Sequence, residues 1–179
     1  MGKLDDEREY NRDIVRFIQD VPKTCPNELF NDDSGETKRA SALDLNIRDD
    51  SDIYKTRNQA CRLAELSLKA NKNRKRRHED VEEFMLSCDT ATIATELPVW
   101  YYDKTLQSSI TGHIDLVQSR GGKIFLLDYK PGAEKKSPLS QLYAYSRAFS
   151  YRTKTPLEKI RAAWFDKNNY IQFSPSEVR

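Results

Sequence analysis

Two adjacent glycines, Gly121 and Gly122, separate two runs of β-branched and aliphatic residues, and this pattern constrains the fold most strongly. A two-residue glycine loop suits a type I′ hairpin, because both central positions of that turn need positive φ. The flanking strands are predicted at about residues 108–118 and 123–129. The loop sets the register of the predicted pairs: Arg120 with Lys123, Gln118 with Phe125, Leu116 with Leu127, Asp115 with Asp128, and His113 with Lys130.

In this register one face of the hairpin is ionisable and the other is apolar, because side chains alternate along a strand. The first face holds His113, Asp115, Asp128 and Lys130, and the second holds Ile114, Leu116, Leu127 and Tyr129. Paired residues have Cβ atoms about 4.5–5.5 Å apart, so two opposed carboxylates repel each other unless a cation neutralises them. Asp115 and Asp128 therefore either hold a divalent cation or are surface charges bridged to Lys130. A register slip of one residue would move one aspartate to the opposite face.

The rest of the chain predicts an α/β layer structure with a small mixed sheet. Helices are expected at about residues 5–20, 52–70, 79–87 and 138–151, and further strands at 92–102, 160–165 and 170–173. The first helix places Tyr10, Ile14, Phe17 and Ile18 at helical spacing, and Pro22 and Pro26 then break the pattern. Ser137 is expected to cap the last helix, with Pro138 in its first turn.

Charge and cysteine content indicate the surroundings of the protein. The formal net charge of +2 is nearly neutral, so nucleic-acid binding would need a local basic groove. Cys25, Cys61 and Cys88 form no CxxC pair, which is typical of reduced thiols in an intracellular protein. Three cysteines cannot supply the four thiolates of an iron–sulfur cluster. The chain has no apolar signal segment or membrane-length run, so we expect a soluble, intracellular protein, cytoplasmic or nucleoid-associated.

Three segments follow one another in order: Gly112-His113-Ile114-Asp115, Asp128-Tyr129-Lys130-Pro131-Gly132 and Gln141-Leu142-Tyr143-Ala144-Tyr145. They resemble the G-x-(I/V)-D, D-Y-K-(T/P)-G and Q-x-x-x-Y motifs of the RecB-type branch of the PD-(D/E)XK nucleases, which includes CRISPR-associated RecB-like exonucleases. The resemblance covers about residues 95–151 and implies a restriction-endonuclease-like core, a small mixed sheet flanked by helices. The length of the chain and the lack of a dividing linker predict a single domain over residues 1–179, with a helical extension at 1–50 and the nuclease core at 51–179.

The resemblance further implies Mg²⁺- or Mn²⁺-dependent hydrolysis of DNA phosphodiester bonds. Asp115, Asp128 and the backbone carbonyl of Tyr129 would bind the metal, and Lys130 would position or activate the attacking water. Hard cations prefer such oxygen ligands, and a bound metal lowers the pKa of water and offsets charge on the phosphorane. Glu96, one strand earlier, either adds a metal ligand or is a charged strand-edge residue.

Substrate contacts are also implied by the resemblance. Gln141 and Tyr145 share one helix face and would look toward the site and the DNA backbone, unless Tyr145 instead packs in the core. His113 would contact phosphate or support a metal ligand.

The resemblance also bears on a first core helix, where members often carry His or Glu after an R-x-x-x-G pattern. This chain has Arg57, then Cys61 in place of the glycine, then Glu65. Glu65 is therefore either a site residue or an exposed helix glutamate.

A dense basic stretch at residues 71–77 includes Arg74, Arg76 and Arg77. It is either a phosphate-contacting edge of a DNA groove, a solvated helix end or a localisation signal.

Two classes of function remain open. The first is an active DNA nuclease with an exonuclease or flap-type preference, acting on DNA that includes single strands. The second is a catalytically silent nucleic-acid-binding or interaction subunit of a repair or defence complex. The given residues include no helicase region like that of full-length RecB-type proteins, so we expect a nuclease that acts alone or with a helicase or repair partner.

Overall fold

The two glycines form a two-residue hairpin loop in the computed structural model, which describes residues 9–32, 35–47, 53–70 and 76–178. Gly121 has φ 53° and Gly122 has φ 71°, the positive values that a type I′ loop requires. The predicted register is confirmed for the pairs Arg120 with Lys123, Gln118 with Phe125 and Leu116 with Leu127, the last of which ends the paired part of the hairpin. The predicted pairs Asp115 with Asp128 and His113 with Lys130 lie beyond it and are not among the paired residues.

Five α-helices and seven strands are present in the described part of the chain. The helices are Glu9–Thr24 (α1), Asn27–Phe30 (α2), Gln59–Ala70 (α3), Arg77–Cys88 (α4) and Leu139–Thr153 (α5). The strands are Thr37–Arg39 (β1), Tyr54–Thr56 (β2), Thr92–Asp103 (β3), Ser108–Arg120 (β4), Lys123–Tyr129 (β5), Ile160–Phe165 (β6) and Tyr170–Phe173 (β7).

All seven strands form one mixed sheet in the order β1-β4-β5-β6-β7-β2, with β3 also paired to β4. The β1–β4 and β5–β6 pairs are parallel, and the others are antiparallel. The α/β restriction-endonuclease-like class predicted from the sequence is confirmed.

One edge of β4 has a gap between two partner strands. A strand has two hydrogen-bonding edges, and β3 occupies one of them along residues 108–118. The other edge is shared, because β1 pairs with Ser109–Thr111 and β5 pairs with Leu116–Arg120. Residues 112–115 lie between these segments, with no described strand beside them on this edge. The G-x-(I/V)-D segment therefore lines an opening in the sheet.

The sheet separates two apolar clusters. One cluster lies with α1 and α5 and includes Ile14, Leu142 and Phe149. The other lies with α3 and α4 and includes Val81 and Met85. Removing apolar surface from water stabilises the fold by about 25 cal/mol per Å². This free energy holds the helices against both faces of the sheet.

The predicted apolar face of the hairpin is wrong at Ile114. Leu116, Leu127 and Tyr129 pack in the cluster with α3 and α4, whereas Ile114 packs in the cluster with α1 and α5. The change of side coincides with a backbone irregularity in the neighbouring strand. Glu96 lies between the Thr95–Leu116 and Leu97–Ile114 pairs and has φ 47°. A left-handed residue interrupts the regular pleat, so strict alternation does not hold there.

Two predicted helix boundaries are wrong. The helix α1 continues through Pro22 to Thr24, since Pro22 removes only one hydrogen bond and Cys25 N still donates to Val21 O at 2.9 Å. The helix predicted from residue 52 begins at Gln59, because residues 54–56 pair with β7 instead.

Ser137 does not cap α5. Pro138 occupies the N-cap position and no side chain caps the helix, which continues to Thr153. Residues 5–8 and the side chain of Tyr10 lie outside the described part of the chain.

Candidate metal centre and nucleic-acid interface

Asp115 and Asp128 are the first residues beyond the last β4–β5 pair, Leu116 with Leu127. From this point β5 remains paired with β6 through Tyr129, and β4 remains paired with β3. The two strands thus diverge at the aspartates, and their carboxyl groups face each other closely enough to hydrogen-bond. The opening in the sheet begins at this pair.

The Asp115 carboxylate is held by two groups from different elements. Its Oδ2 accepts a 2.8 Å hydrogen bond from the backbone N–H of Tyr129, and it lies 2.7 Å from Nε2 of His78 on α4. The residue is only 7% exposed. The hydrogen bond from β5 and the contact with α4 together fix the orientation of the carboxylate.

Helix α4 brings two site residues that the sequence interpretation missed. His78 and Glu82 are four residues apart, so they share a helix face, and His78 Nε2 lies 3.1 Å from Glu82 Oε1. One ligand atom from each of His78, Glu82 and Asp115 lies within 4.8 Å of the others. A His-x-x-x-Glu spacing on the helix just before the first long strand was the available signal. The prediction considered only the apolar residues of that helix.

Asp128 is the most deeply buried acidic residue of the group, at 1% exposed. Lys130 Nζ lies 3.1 Å from its Oδ2. With the carboxylates ionised, neither Asp128 oxygen nor Glu82 Oε1 has a partner in hydrogen-bond geometry among the described residues. Buried charged oxygens without donors are costly, which indicates that a further group completes this site.

The pKa values of the carboxyl groups also indicate that a further group completes the site. Burial raises the pKa of Asp115 well above its usual range, and the charge of Asp128 raises it further. Burial and the charge of Glu96 raise the pKa of Glu82 to about 8. Acidic groups with such shifts bind a proton or a cation more readily than ordinary carboxyls do.

A divalent cation fits this donor set. Carboxylate oxygens are the ligands that Mg²⁺ and Mn²⁺ prefer, and an imidazole nitrogen is compatible with Mn²⁺. A cation would supply the missing partners of Glu82 and Asp128 and offset the repulsion among the carboxylates. His78, Glu82, Asp115 and Asp128 are the residues that could hold it.

Hydrogen bonds to the end of β6 and to the residue after it hold the loop that follows Lys130. The backbone N–H of Lys130 donates to Phe165 O at 2.8 Å. Asp166 Oδ2 accepts hydrogen bonds from the backbone N–H groups of Gly132 and Ala133, each at 3.1 Å. Gly132 has φ 77°, which glycine adopts without strain. The loop therefore sets the direction in which the Lys130 side chain leaves the strand.

Gln141 and Tyr145 lie on one face of α5, as their spacing predicts. Gln141 Nε2 donates to the Tyr145 hydroxyl at 2.9 Å. Tyr145 is 5% exposed and belongs to the apolar cluster, while its hydroxyl is close enough to Asp128 and Asp115 to be affected by their charges. The Tyr145 ring thus packs in the core, while its hydroxyl group lies near the site. Gly112 permits this, because a Cβ there would lie 2.3 Å from the Tyr145 ring.

His113 is exposed, and its ring packs against Phe30 of α2 with centroids 5.1 Å apart. Glu96 is exposed on β3, and its carboxylate interacts with that of Glu82.

Glu65 is paired with Arg57 at 2.6 Å and with Lys69 at 2.8 Å on the surface of α3. The structure thus places Glu96 beside the carboxylates and Glu65 in a surface ion-pair network.

The basic stretch is described only in part, because Arg74 lies outside the described residues. Arg76 is exposed and lies 3.4 Å from Glu83. Arg77 is exposed at the start of α4, one residue before His78, and is close enough to Tyr129 to influence its pKa. The described end of the stretch therefore adjoins the carboxylate cluster.

A family model of the PD-(D/E)XK nuclease superfamily matches residues 16–178 of the chain. No curated protein and no solved structure matches it. Within the described residues, no helix is both long and apolar enough to cross a membrane.

Proposed function

The chain belongs to the PD-(D/E)XK nuclease superfamily, and from this premise we propose that it hydrolyses DNA phosphodiester bonds with Mg²⁺ or Mn²⁺. The observation that carries the proposal is the set of buried carboxylates without hydrogen-bond partners at the opening in the sheet. A cation in contact with the substrate promotes phosphodiester hydrolysis by activating water and offsetting charge on phosphorus oxygens, and these carboxylate oxygens could bind one.

The proposed ligands are Asp115, Asp128, Glu82 and His78, with the backbone carbonyl of Tyr129 and the Glu96 carboxylate as further donors. A histidine ligand is expected to favour Mn²⁺ over Mg²⁺ in affinity, because imidazole binds later transition metals more strongly. When bound, the cation supplies Lewis-acid chemistry, which activates water and offsets charge growing on the phosphorus oxygens.

Lys130 is proposed to orient the attacking water and stabilise the developing charge. Its Nζ is within 3.1 Å of Asp128, so it lies at the edge of the proposed metal site. An ammonium group held in a partly water-excluded site is worth more to the transition state than the same group in bulk water. The hydrogen bonds of the following loop keep this side chain positioned.

The substrate is proposed to run along the opening between β1 and β5. Gln141, Tyr145 and His113 would contact the substrate near the scissile phosphate, and Arg74, Arg76 and Arg77 would contact other phosphates. We place the chain in the RecB-like branch, as a single nuclease domain with residues 1–50 as an extension. We propose an exonuclease preference in DNA repair, with a helicase or repair partner supplying DNA.

The test is cleavage of labelled linear and circular DNA, single- and double-stranded, in Mg²⁺, Mn²⁺ or EDTA. We expect metal-dependent cleavage that is faster on linear than on circular substrates and is lost in Asp128→Ala and Lys130→Ala variants. Glu65→Gln is the matched control, because it removes a carboxylate from the surface of α3 and leaves the cluster intact. Cleavage that persists in EDTA, or in Asp128→Ala, would contradict the proposal.

A second outcome would favour a different function. If no DNA is cleaved in any metal, while wild type and Asp128→Ala bind DNA equally, the chain acts as a catalytically silent binding or interaction subunit. Mn²⁺ binding measured by calorimetry separates the cases further, because a silent copy has no need of a metal-binding carboxylate cluster.

A further inference from the structure

A cavity of about 380 Å³ opens beside the gap in the sheet, between the N-terminal elements and β4. Its lining combines aromatic, cationic and small polar side chains. This size and this mixture are typical of a small-ligand site. The lining residues include Phe30, Arg39, Ser41, Gly112, His113 and Tyr145.

The cavity exists because β1 ends where the gap begins. Arg39 is the last residue of β1 and pairs with Thr111, immediately before Gly112. Beyond it the chain turns into a short 3-10 helix, Ala40–Ala42, and leaves the β4 edge uncovered. His113 is two residues from Asp115, or about 7 Å along a strand. The cavity and the carboxylates are therefore neighbouring sites on one strand.

The lining has the chemistry of a nucleotide. Phe30 and His113 form an aromatic wall, with ring centroids 5.1 Å apart, and His113 is exposed. Aromatic rings provide stacking platforms for bases. Arg39 is exposed and forms no ion pair with any residue that the structure describes. A guanidinium group in that state is available to bind phosphate.

We propose that this cavity binds one unpaired nucleotide adjacent to the scissile phosphate, with its base against Phe30 and His113 and its phosphate on Arg39. The inference rests on the proposed nuclease function and specifies its substrate. A base inserted among these side chains cannot remain stacked and paired in a duplex. The substrate at the site is therefore single-stranded DNA, or a duplex end that has opened.

A larger cavity has a more acidic lining. It has about 620 Å³ and is lined by Glu28, Asp32 and Glu36, with Lys38 as its one cation among the described lining residues. Acidic side chains repel phosphate, so the larger volume does not make it the better nucleotide site.

The test uses the full chain in EDTA, so that binding is measured without cleavage. The probe is a short single-stranded oligonucleotide carrying 2-aminopurine, whose fluorescence falls when the base stacks. Wild type is expected to bind it more tightly than a blunt hairpin duplex and to quench the fluorescence. Phe30→Leu keeps apolar packing but removes the aromatic face, and is expected to weaken binding about tenfold and abolish the quenching.

Arg39→Ala is expected to weaken binding of the single strand and lower its dependence on salt concentration, because one phosphate contact is lost. Lys38→Ala is the matched control, since Lys38 is the preceding cation on β1 but lines the other cavity. Its affinity is expected to remain within twofold of wild type. Wild-type affinity and quenching in both Phe30→Leu and Arg39→Ala would overturn the inference, as would equal affinity of wild type for the duplex.

These outcomes are separable from failure of the proposed function. If the wild type quenches the probe but cleaves nothing in Mg²⁺ or Mn²⁺, the nuclease proposal fails and the nucleotide site stands. If the wild type cleaves DNA and the Phe30 and Arg39 variants bind and cleave like wild type, the nuclease proposal stands and the nucleotide site fails.

Discussion

Two aspartates at the ends of neighbouring strands are both buried but differ in the groups that surround them. Asp166 follows β6 and is 6% exposed, and Asp128 lies near the end of β5 and is 1% exposed. Asp166 accepts hydrogen bonds from four backbone N–H groups. Asp128 has the Lys130 ammonium 3.1 Å from its Oδ2, but neither of its oxygens has a partner in hydrogen-bond geometry among the described residues.

The pKa values of the two regions differ accordingly. Burial alone would raise the pKa of Asp166, but its backbone donors outweigh burial and hold the pKa below the usual range. In the cluster that contains Asp128, burial and neighbouring carboxylates raise the pKa of Asp115 and of Glu82 instead. Burial by itself therefore does not identify a functional carboxylate. Few donors together with neighbouring carboxylates do, because such a group needs a proton or a cation.

The largest expected effect is that of Asp128→Asn. The amide keeps the size of the side chain but removes the charge that would bind a cation, so we expect cleavage to fall by about 10³-fold or more. In EDTA the same variant is expected to gain about 1–3 kcal/mol in free energy of unfolding, because removing the repulsion between the buried Asp128 and Asp115 carboxylates outweighs the loss of the Asp128–Lys130 ion pair. Cleavage rates and urea unfolding measure the two effects. If Asp128→Asn instead lost stability and retained cleavage, Asp128 would be a structural carboxylate like Asp166.

Asp166→Asn is expected to have the opposite effect on stability. An amide nitrogen would face backbone donors where a carboxylate oxygen now accepts them, so about 2–4 kcal/mol of unfolding free energy should be lost. Urea unfolding in EDTA measures this loss, and adding Mn²⁺ should not change the difference from wild type. A variant as stable as wild type would show that the four hydrogen bonds contribute little.

The pH dependence of the metal-free protein follows from Glu82. A carboxyl whose pKa is raised in the folded state binds its proton more tightly there than in the unfolded chain. Its stabilising contribution is fully present below the unfolded pKa, about 4.3, and is lost as pH rises through about 8. We expect unfolding free energy in EDTA to fall by on the order of 3 kcal/mol between pH 5 and pH 9, measured by urea unfolding.

Glu82→Gln is the control for this pH dependence, because the amide does not titrate and the slope should become shallower. Saturating Mn²⁺ should also reduce the slope in the wild type, since a bound cation replaces the proton. An equal slope in Glu82→Gln and wild type would assign the pH dependence to other groups.

The smallest expected effect is that of Glu65→Gln. Its ion pairs with Arg57 and Lys69 are partly exposed, and such pairs contribute under about 1 kcal/mol. Stability and cleavage should both remain close to wild type. A tenfold loss of cleavage would instead make Glu65 part of the site and remove the distinction between the cluster and the surface network.

The sequence predicted the hairpin, its register and the α/β class, because these depend on short-range features. Two glycines with positive φ set the register directly, and the strands from 123 to 129, 160 to 165 and 170 to 173 lie at their predicted positions. The prediction failed where long-range pairing decided the outcome. Residues 54–56 read as helix, yet they pair with β7, more than a hundred residues later.

The site itself was predictable only in part. Asp115, Asp128 and Lys130 lie within one hairpin, so their proximity follows from local register. His78 and Glu82 reach the same carboxylates only because Val81 and Met85 on α4 pack in the cluster that contains Leu116 and Leu127. No local pattern specifies that docking.

The sequence by itself determined the order of the motifs, the hairpin and the position of two aspartates just beyond its paired segment. Those features follow from a turn that restricts backbone torsion angles over a few residues. Only the tertiary structure decided which groups surround the aspartates, that β4 has a gap beside them, and that a cavity with Phe30 and Arg39 adjoins it. The reason is that these features depend on burial of apolar surface between distant segments, which no single stretch of sequence encodes.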